Sequence, residues 1–122
     1  ELTEAGGKLV FSAEDGTSGI ELWVTDGTED GTNLLKDIYP GANSSVALNF
    51  KQFGNRAIFV ANDGTQGEEV WITDGTEEGT YMVKDIAVGA EPSYSYEFTE
   101  YQGKIYFQAN NGIAFSSESF LD

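Results

Sequence analysis

The residues with the clearest chemical capacity are carboxylates grouped around four Asp-Gly-Thr tripeptides, at 15–17, 26–28, 63–65 and 74–76. Asp26 is followed by Glu29 and Asp30, and Asp74 by Glu77 and Glu78. Asp63 has Glu68 and Glu69 close behind it, and Asp15 has Glu21. Carboxylates at short spacing around a glycine turn can form a calcium shell, because that ion takes several oxygens in flexible geometry. A pair of carboxylates can also hydrolyse a glycosidic bond. A third reading is structural: Asp opening a turn accepts backbone N–H bonds, glycine takes positive φ, and threonine enters the next strand. The spacing matches neither an EF-hand loop nor an RTX nonapeptide. Asn111 stands where a third copy would carry Asp15 or Asp63, and Asn serves a turn without bringing charge. The turn reading is therefore preferred, with Asp15, Glu21, Asp26, Glu29, Asp30, Asp63, Glu68, Glu69, Asp74, Glu77 and Glu78 as the candidate calcium ligands. No other cofactor is expected.

These carboxylates recur because the chain repeats. Glu21 to Thr32, ELWVTDGTEDGT, returns at Glu69 to Thr80 as EVWITDGTEEGT, so Trp23 becomes Trp71 at an offset of 48 residues. Phe11 maps to Phe59 and Phe107, and Lys36-Asp37-Ile38 to Lys84-Asp85-Ile86, at the same offset. A fixed period of this size signals a repeat architecture. An active site usually breaks such symmetry, so no enzyme is expected and no catalytic residue is assigned. The repeated residues Trp23, Asp26, Gly27, Thr28, Gly31 and Thr32, with Trp71, Asp74, Gly75, Thr76, Gly79 and Thr80, are expected to be structural.

The elements that must position them are short β-strands. Each apolar run is β-branched or aromatic and bounded by turn residues, with no helical period. Lys8–Ala13, Ile20–Thr25, Thr32–Ile38 and Leu48–Phe53 read as the four strands of one repeat, preceded by a remnant at Leu2-Thr3. Arg56–Asn62, Glu69–Thr73, Thr80–Ile86 and Tyr96–Tyr101 read as the next four. Lys104–Asn110 opens a third copy that closes early, Asn111-Gly112 predicting a tight hairpin turn. Repeat boundaries fall at 4–51, 52–99 and 100–122.

ELWVTDGTEDGT and EVWITDGTEEGT, with KDIYPGANSS behind the first, resemble the ELWxxDGTxxGT repeat of large bacterial secreted and surface proteins. The resemblance covers nearly the whole chain. It implies β-propeller-like blades, and hence an all-β, propeller-type protein of about two and a half four-stranded antiparallel blades. Trp23 and Trp71 are expected to be buried between blades, a large ring on a central strand being suited to that place. The alternative for them is a sugar-stacking platform. Tyr94, Tyr96 and Tyr101 are candidate ligand-facing aromatics.

Composition narrows the partners. The net charge is −15, with only six Lys and Arg, which disfavours nucleic acid and anionic membranes. Cysteine and histidine are both absent, removing disulfides, thiolate metal sites and the usual general base. No apolar run is long enough to span a bilayer. The chain opens within a repeat and so reads as a mature or excised segment, and the resemblance to bacterial surface repeats implies an extracellular or cell-surface setting. Incomplete blades should leave open flanks, covered by other copies of the chain or by further repeats of a longer one. The expected role is a non-enzymatic structural, adhesive or binding module. The alternatives are a lectin-like propeller for surface glycans and a subunit that assembles head to tail.

Overall fold

Strand-favouring residues broken every few positions by glycine turns favour hairpin pairing between strands adjacent in sequence. The computed structural model describes residues 2–41, 43–84, 98–110 and 115–121. Eleven strands form, and no helix occurs among the described residues. They are β1 (Thr3–Ala5), β2 (Lys8–Glu14), β3 (Ile20–Thr25), β4 (Asn33–Lys36), β5 (Leu48–Phe53), β6 (Arg56–Asn62), β7 (Glu68–Thr73), β8 (Tyr81–Lys84), β9 (Thr99–Tyr101), β10 (Lys104–Asn110) and β11 (Phe115–Leu121).

Three antiparallel sheets result, ordered β1-β2-β3-β4, β5-β6-β7-β8 and β9-β10-β11. The first two share one register. Phe11 faces Trp23 across the β2–β3 ladder, and Phe59 faces Trp71 across β6–β7. Both sheets also shift register one pair before the tryptophan, at Leu22/Trp23 and Val70/Trp71.

Alternation gives the first two sheets two apolar faces each, and the sheets stack through such faces. Val10, Leu22 and Val24 of the first sheet meet Ala57, Phe59 and Trp71 of the second in one buried cluster. The opposite face of the second sheet, with Ile58, Val60 and Val70, buries Ile105 of β10. Within the second sheet, Phe50 of β5 stacks on Phe59 of β6, with ring centroids 5.1 Å apart.

Two sequence expectations are corrected. Leu48–Phe53 is the first strand of the second sheet, not the fourth of the first repeat. The Gly54-Asn55 turn pairs it with β6, so sheet and sequence repeat are out of phase by one strand. By the same rule the remnant near Leu2 is the complete edge strand β1, paired with β2. The third sheet keeps its hairpin, but Asn110 pairs with Phe115. Four residues therefore separate β10 from β11, which is wider than a two-residue Asn-Gly turn. Those four residues lie outside the described set, as do Tyr94, Tyr96, Asp85 and Ile86.

Residues 37–47 carry the chain from β4 on one sheet to β5 on the next. Glu21 anchors this crossover: its carboxylate accepts the backbone N–H of Ile38 at 2.9 Å and of Tyr39 at 3.0 Å. Ser45 donates its backbone N–H to Ile20 and accepts that of Asn62, at 3.1 and 3.0 Å. The Ser12 hydroxyl donates to the Ala47 carbonyl. Tyr39 then lies against Gly64, where no side chain would fit.

Candidate functional site

The repeated motif folds as a closed loop joining the third and fourth strands of each sheet. In the first sheet, Asp26 Oδ1 accepts from the Thr28 backbone at 2.9 Å and from its hydroxyl at 2.7 Å. Thr28 Oγ1 accepts the Gly31 N–H at 2.9 Å, and Thr32 Oγ1 donates to the Thr28 carbonyl at 2.6 Å. Thr25 Oγ1 accepts the Gly27 N–H at 3.0 Å and meets Thr32 Oγ1 at 2.7 Å. Gly27 has φ +97°, and the Asp26 carboxylate fills the space a side chain on Gly31 would need.

Thr73, Asp74, Thr76, Gly79 and Thr80 repeat these bonds within 0.1 Å: the two threonine hydroxyls are again 2.7 Å apart, and Asp74 Oδ1 again holds Thr76. The aspartate and the three threonine hydroxyls of each motif loop thus have partners inside that loop. The earlier Asp-Gly-Thr turns are simpler. Asp15 Oδ1 accepts backbone N–H groups from Thr17 and Ser18, both at 2.8 Å, and Asp63 Oδ1 does the same for Thr65 and Gln66.

These bonds set the electrostatics. Backbone donors from Ser18 and Thr17 hold the Asp15 carboxyl down at about 2. The Thr28 and Thr76 hydroxyls lower Asp26 and Asp74. Glu21 moves the other way, because burial raises it against the lowering bonds from Ser45, Tyr39 and Ile38.

The candidate calcium ligands are spread, not gathered. Asp26, Glu29, Asp30, Glu77 and Glu78 are exposed, whereas Glu21 and Glu69 are fully buried within their sheets. Asp15 and Asp63 lie on turns at the ends of β2 and β6. Among the described residues no three carboxylates converge as an ion shell.

The two tryptophans differ, which corrects the expectation that both are buried. Trp71 is 6 % exposed beneath the first sheet. Trp23 is half-buried, since the same face of the first sheet has no neighbour among the described residues. Phe11 and Leu34, which flank Trp23 across the ladders, are half-buried with it.

That open face holds a concavity beside the motif, a cavity of about 230 Å³ lined by Glu4, Gly7, Lys8, Leu9, Thr25, Asp26 and Gly27. Comparisons of the chain with protein-family models, with curated proteins and with solved structures gave no match. On the third sheet Tyr101 is exposed and lies edge-on to Tyr106, centroids 6.4 Å apart.

Sequence reasoning passed over the residues that join the sheets. Gly6 donates its N–H to the Asn55 carbonyl at 2.6 Å, and Ser45 bridges the crossover. The signal for Glu21 was present: an acid that recurs as Glu69 inside an otherwise apolar strand must satisfy buried backbone donors. For Gly6 the only sign was a turn glycine.

Proposed function

We propose that the chain is a propeller-type repeat module, without enzymatic activity, that serves outside the cell as a structural or adhesive element. One observation carries this reading. The residues that define the repeat are used by loop closure in both sheets alike, and at Trp71 by sheet stacking, which leaves the Asp-Gly-Thr carboxylates committed to their own turns. A sheet with two apolar faces gains stability by adding a neighbour on each, which is the logic of a stacked array. The resemblance to bacterial surface repeats points the same way, as does the acidity, which keeps a β-rich surface soluble. Assays of the chain against glycosidic, ester and phosphoester substrates test it: no turnover is expected. Hydrolysis that disappears in Asp26→Asn or Asp74→Asn would overturn it.

A second reading, recognition of surface glycans, is favoured by one feature. Tyr101 and Tyr106 present an exposed aromatic pair at diagonal positions of the β9–β10 ladder, and sugar rings stack on such faces. Glycan binding lost in Tyr101→Ala would support it.

A further inference from the structure

The cavity on the first sheet has an occupied counterpart in the same chain. In the second sheet the equivalent positions, 48 residues on, hold the Ala5-Gly6 turn. Gly6 donates to the Asn55 carbonyl at 2.6 Å. The Ala5 carbonyl lies 2.8 Å from where a side chain on Gly75 would start, and the Asp74 carbonyl occupies the place of any side chain on Gly6. Asn55, Asp74 and Gly75 map onto Gly7, Asp26 and Gly27, and all three of these line the cavity. The ladder row beneath also corresponds: Gln52, Ala57 and Thr73 in the second sheet, Glu4, Leu9 and Thr25 in the first. Ala57 is fully covered, whereas Leu9 is 39 % exposed. A larger aliphatic is no obstacle, because Ile105 holds this position in the third sheet and is fully buried.

Two features define what the open slot accepts. The first is the glycine. Gly6 enters with φ +62° against a backbone carbonyl, leaving no room for Cβ. The second is polarity. Gln52 Nε2 of the receiving sheet donates to Glu4 Oε1 of the inserted strand at 3.3 Å. In the open slot the receiving residue is Glu4 itself, so the inserted strand must supply the donor.

We propose that this slot is a docking site for a β-hairpin of the same repeat kind, with glycine at its turn and a hydrogen-bond donor two residues earlier. Gln52 and Gly54 have this pattern, and Gly54 already has φ +62° with no neighbour within 4 Å of a built Cβ. The far end of the same stack does not. The β9–β10 turn places Glu100 and Gln102 at the two positions; the first would oppose Glu4 with like charge, and the second carries a side chain. The partner is therefore a further sheet with the Gln-x-Gly pattern, not the third sheet of a second copy. This inference rests on the reading of the chain as a stacking module.

The test uses the isotope-labelled full chain and a head-to-tail cyclised peptide of residues 50–59, FKQFGNRAIF. Saturable shifts of the Gly7, Thr25 and Gly27 amides and a blue shift of Trp23 emission are expected. Peptides carrying Gly54→Gln or Gln52→Glu should bind at least about tenfold more weakly. Equal binding of all three, or no shift of those amides at about 1 mM peptide, overturns the proposal. It is overturned equally if the same amides shift on concentrating the chain alone, since a second copy would then fill the slot. The module reading is judged separately, by turnover assays without peptide, so the two failures are distinguishable.

Discussion

The hydroxyls of Thr73 and Thr80 lie 2.7 Å apart at the base of the second motif loop, and both side chains are sealed from solvent by the sheet before them. Thr25 and Thr32 form the same 2.7 Å pair with one face still open. Identical local bonds in two different surroundings allow the contribution of stacking to be measured inside one molecule. Thr80→Val removes the donor to the Thr76 carbonyl and leaves the buried Thr73 hydroxyl with the Gly75 N–H as its remaining partner, a loss of about 1–3 kcal/mol. Thr32→Val should lose less, about 1 kcal/mol or under, because water reaches its partners. Urea midpoints of the two variants check the order.

The tryptophans give an independent version of the same comparison. Trp71→Ala should destabilise by roughly 3–5 kcal/mol, since it opens a cavity between two sheets. Trp23→Ala, on the uncovered face, should lose about 2 kcal/mol or less. Acrylamide should quench Trp23 well and Trp71 poorly, which single-tryptophan variants would resolve. Equal quenching would mean that the sheets do not stack as described.

Acid titration separates two kinds of carboxyl. Asp15, with its pKa lowered from 3.8 to about 2, contributes stability that is present above pH 3.8 and lost as the pH falls through the folded value. Asp26 and Asp74 are lowered in the same direction. Glu21 is raised above 4.5; its protonation favours the folded state, so its contribution grows as the pH falls through its folded value. Side-chain carboxyl shifts followed by NMR should place the Asp15 midpoint near 2. Glu21→Gln should remove the gain above pH 4.5 and leave the acid loss of the aspartates in place.

Calcium offers a check on the motif loops. Asp26 and Asp74 already spend Oδ1 on the threonine two residues ahead. Calcium should therefore raise the melting temperature no more than magnesium does. A saturable, chelator-reversible rise specific to calcium would show an ion binding the folded state.

Val46 is a site where stability can be gained. It takes φ +51° on the crossover while 47 % exposed, a conformation that costs a β-branched residue on the order of 1–3 kcal/mol. Val46→Asn, which tolerates that region, should raise the melting temperature by a few degrees.

Much of this arrangement was legible in the residues. The strands from Lys8 to Asn62 follow from alternation and turn glycines, and their bounds agree with expectation to within about two residues. The phase of the repeat was not legible, because β5 has the same pattern whichever sheet it joins; only the closing of the Gly54-Asn55 turn decides. The Asp-Gly-Thr turns were read from residue type, but the threonine pairing across seven residues depends on the loop curling back on itself. The slot was hidden for a different reason. Gly7, Asp26 and Gly27 come from two separate loops, and nothing in their spacing signals that a neighbour's glycine belongs between them.

The phase shift between sheet and sequence repeat also has a mechanical side. Residues 37–47 are the sole covalent tie between the first two sheets, so tension applied along the chain passes through them in series with the ladders. Their short clasps to Ile20, Glu21 and Asn62 would carry the load first. Release would add roughly 35 Å of slack, eleven residues at full extension, before any hairpin need unzip. Such a joint yields by paying out length, so a pulled array can part sheet from sheet while each sheet keeps its own bonds.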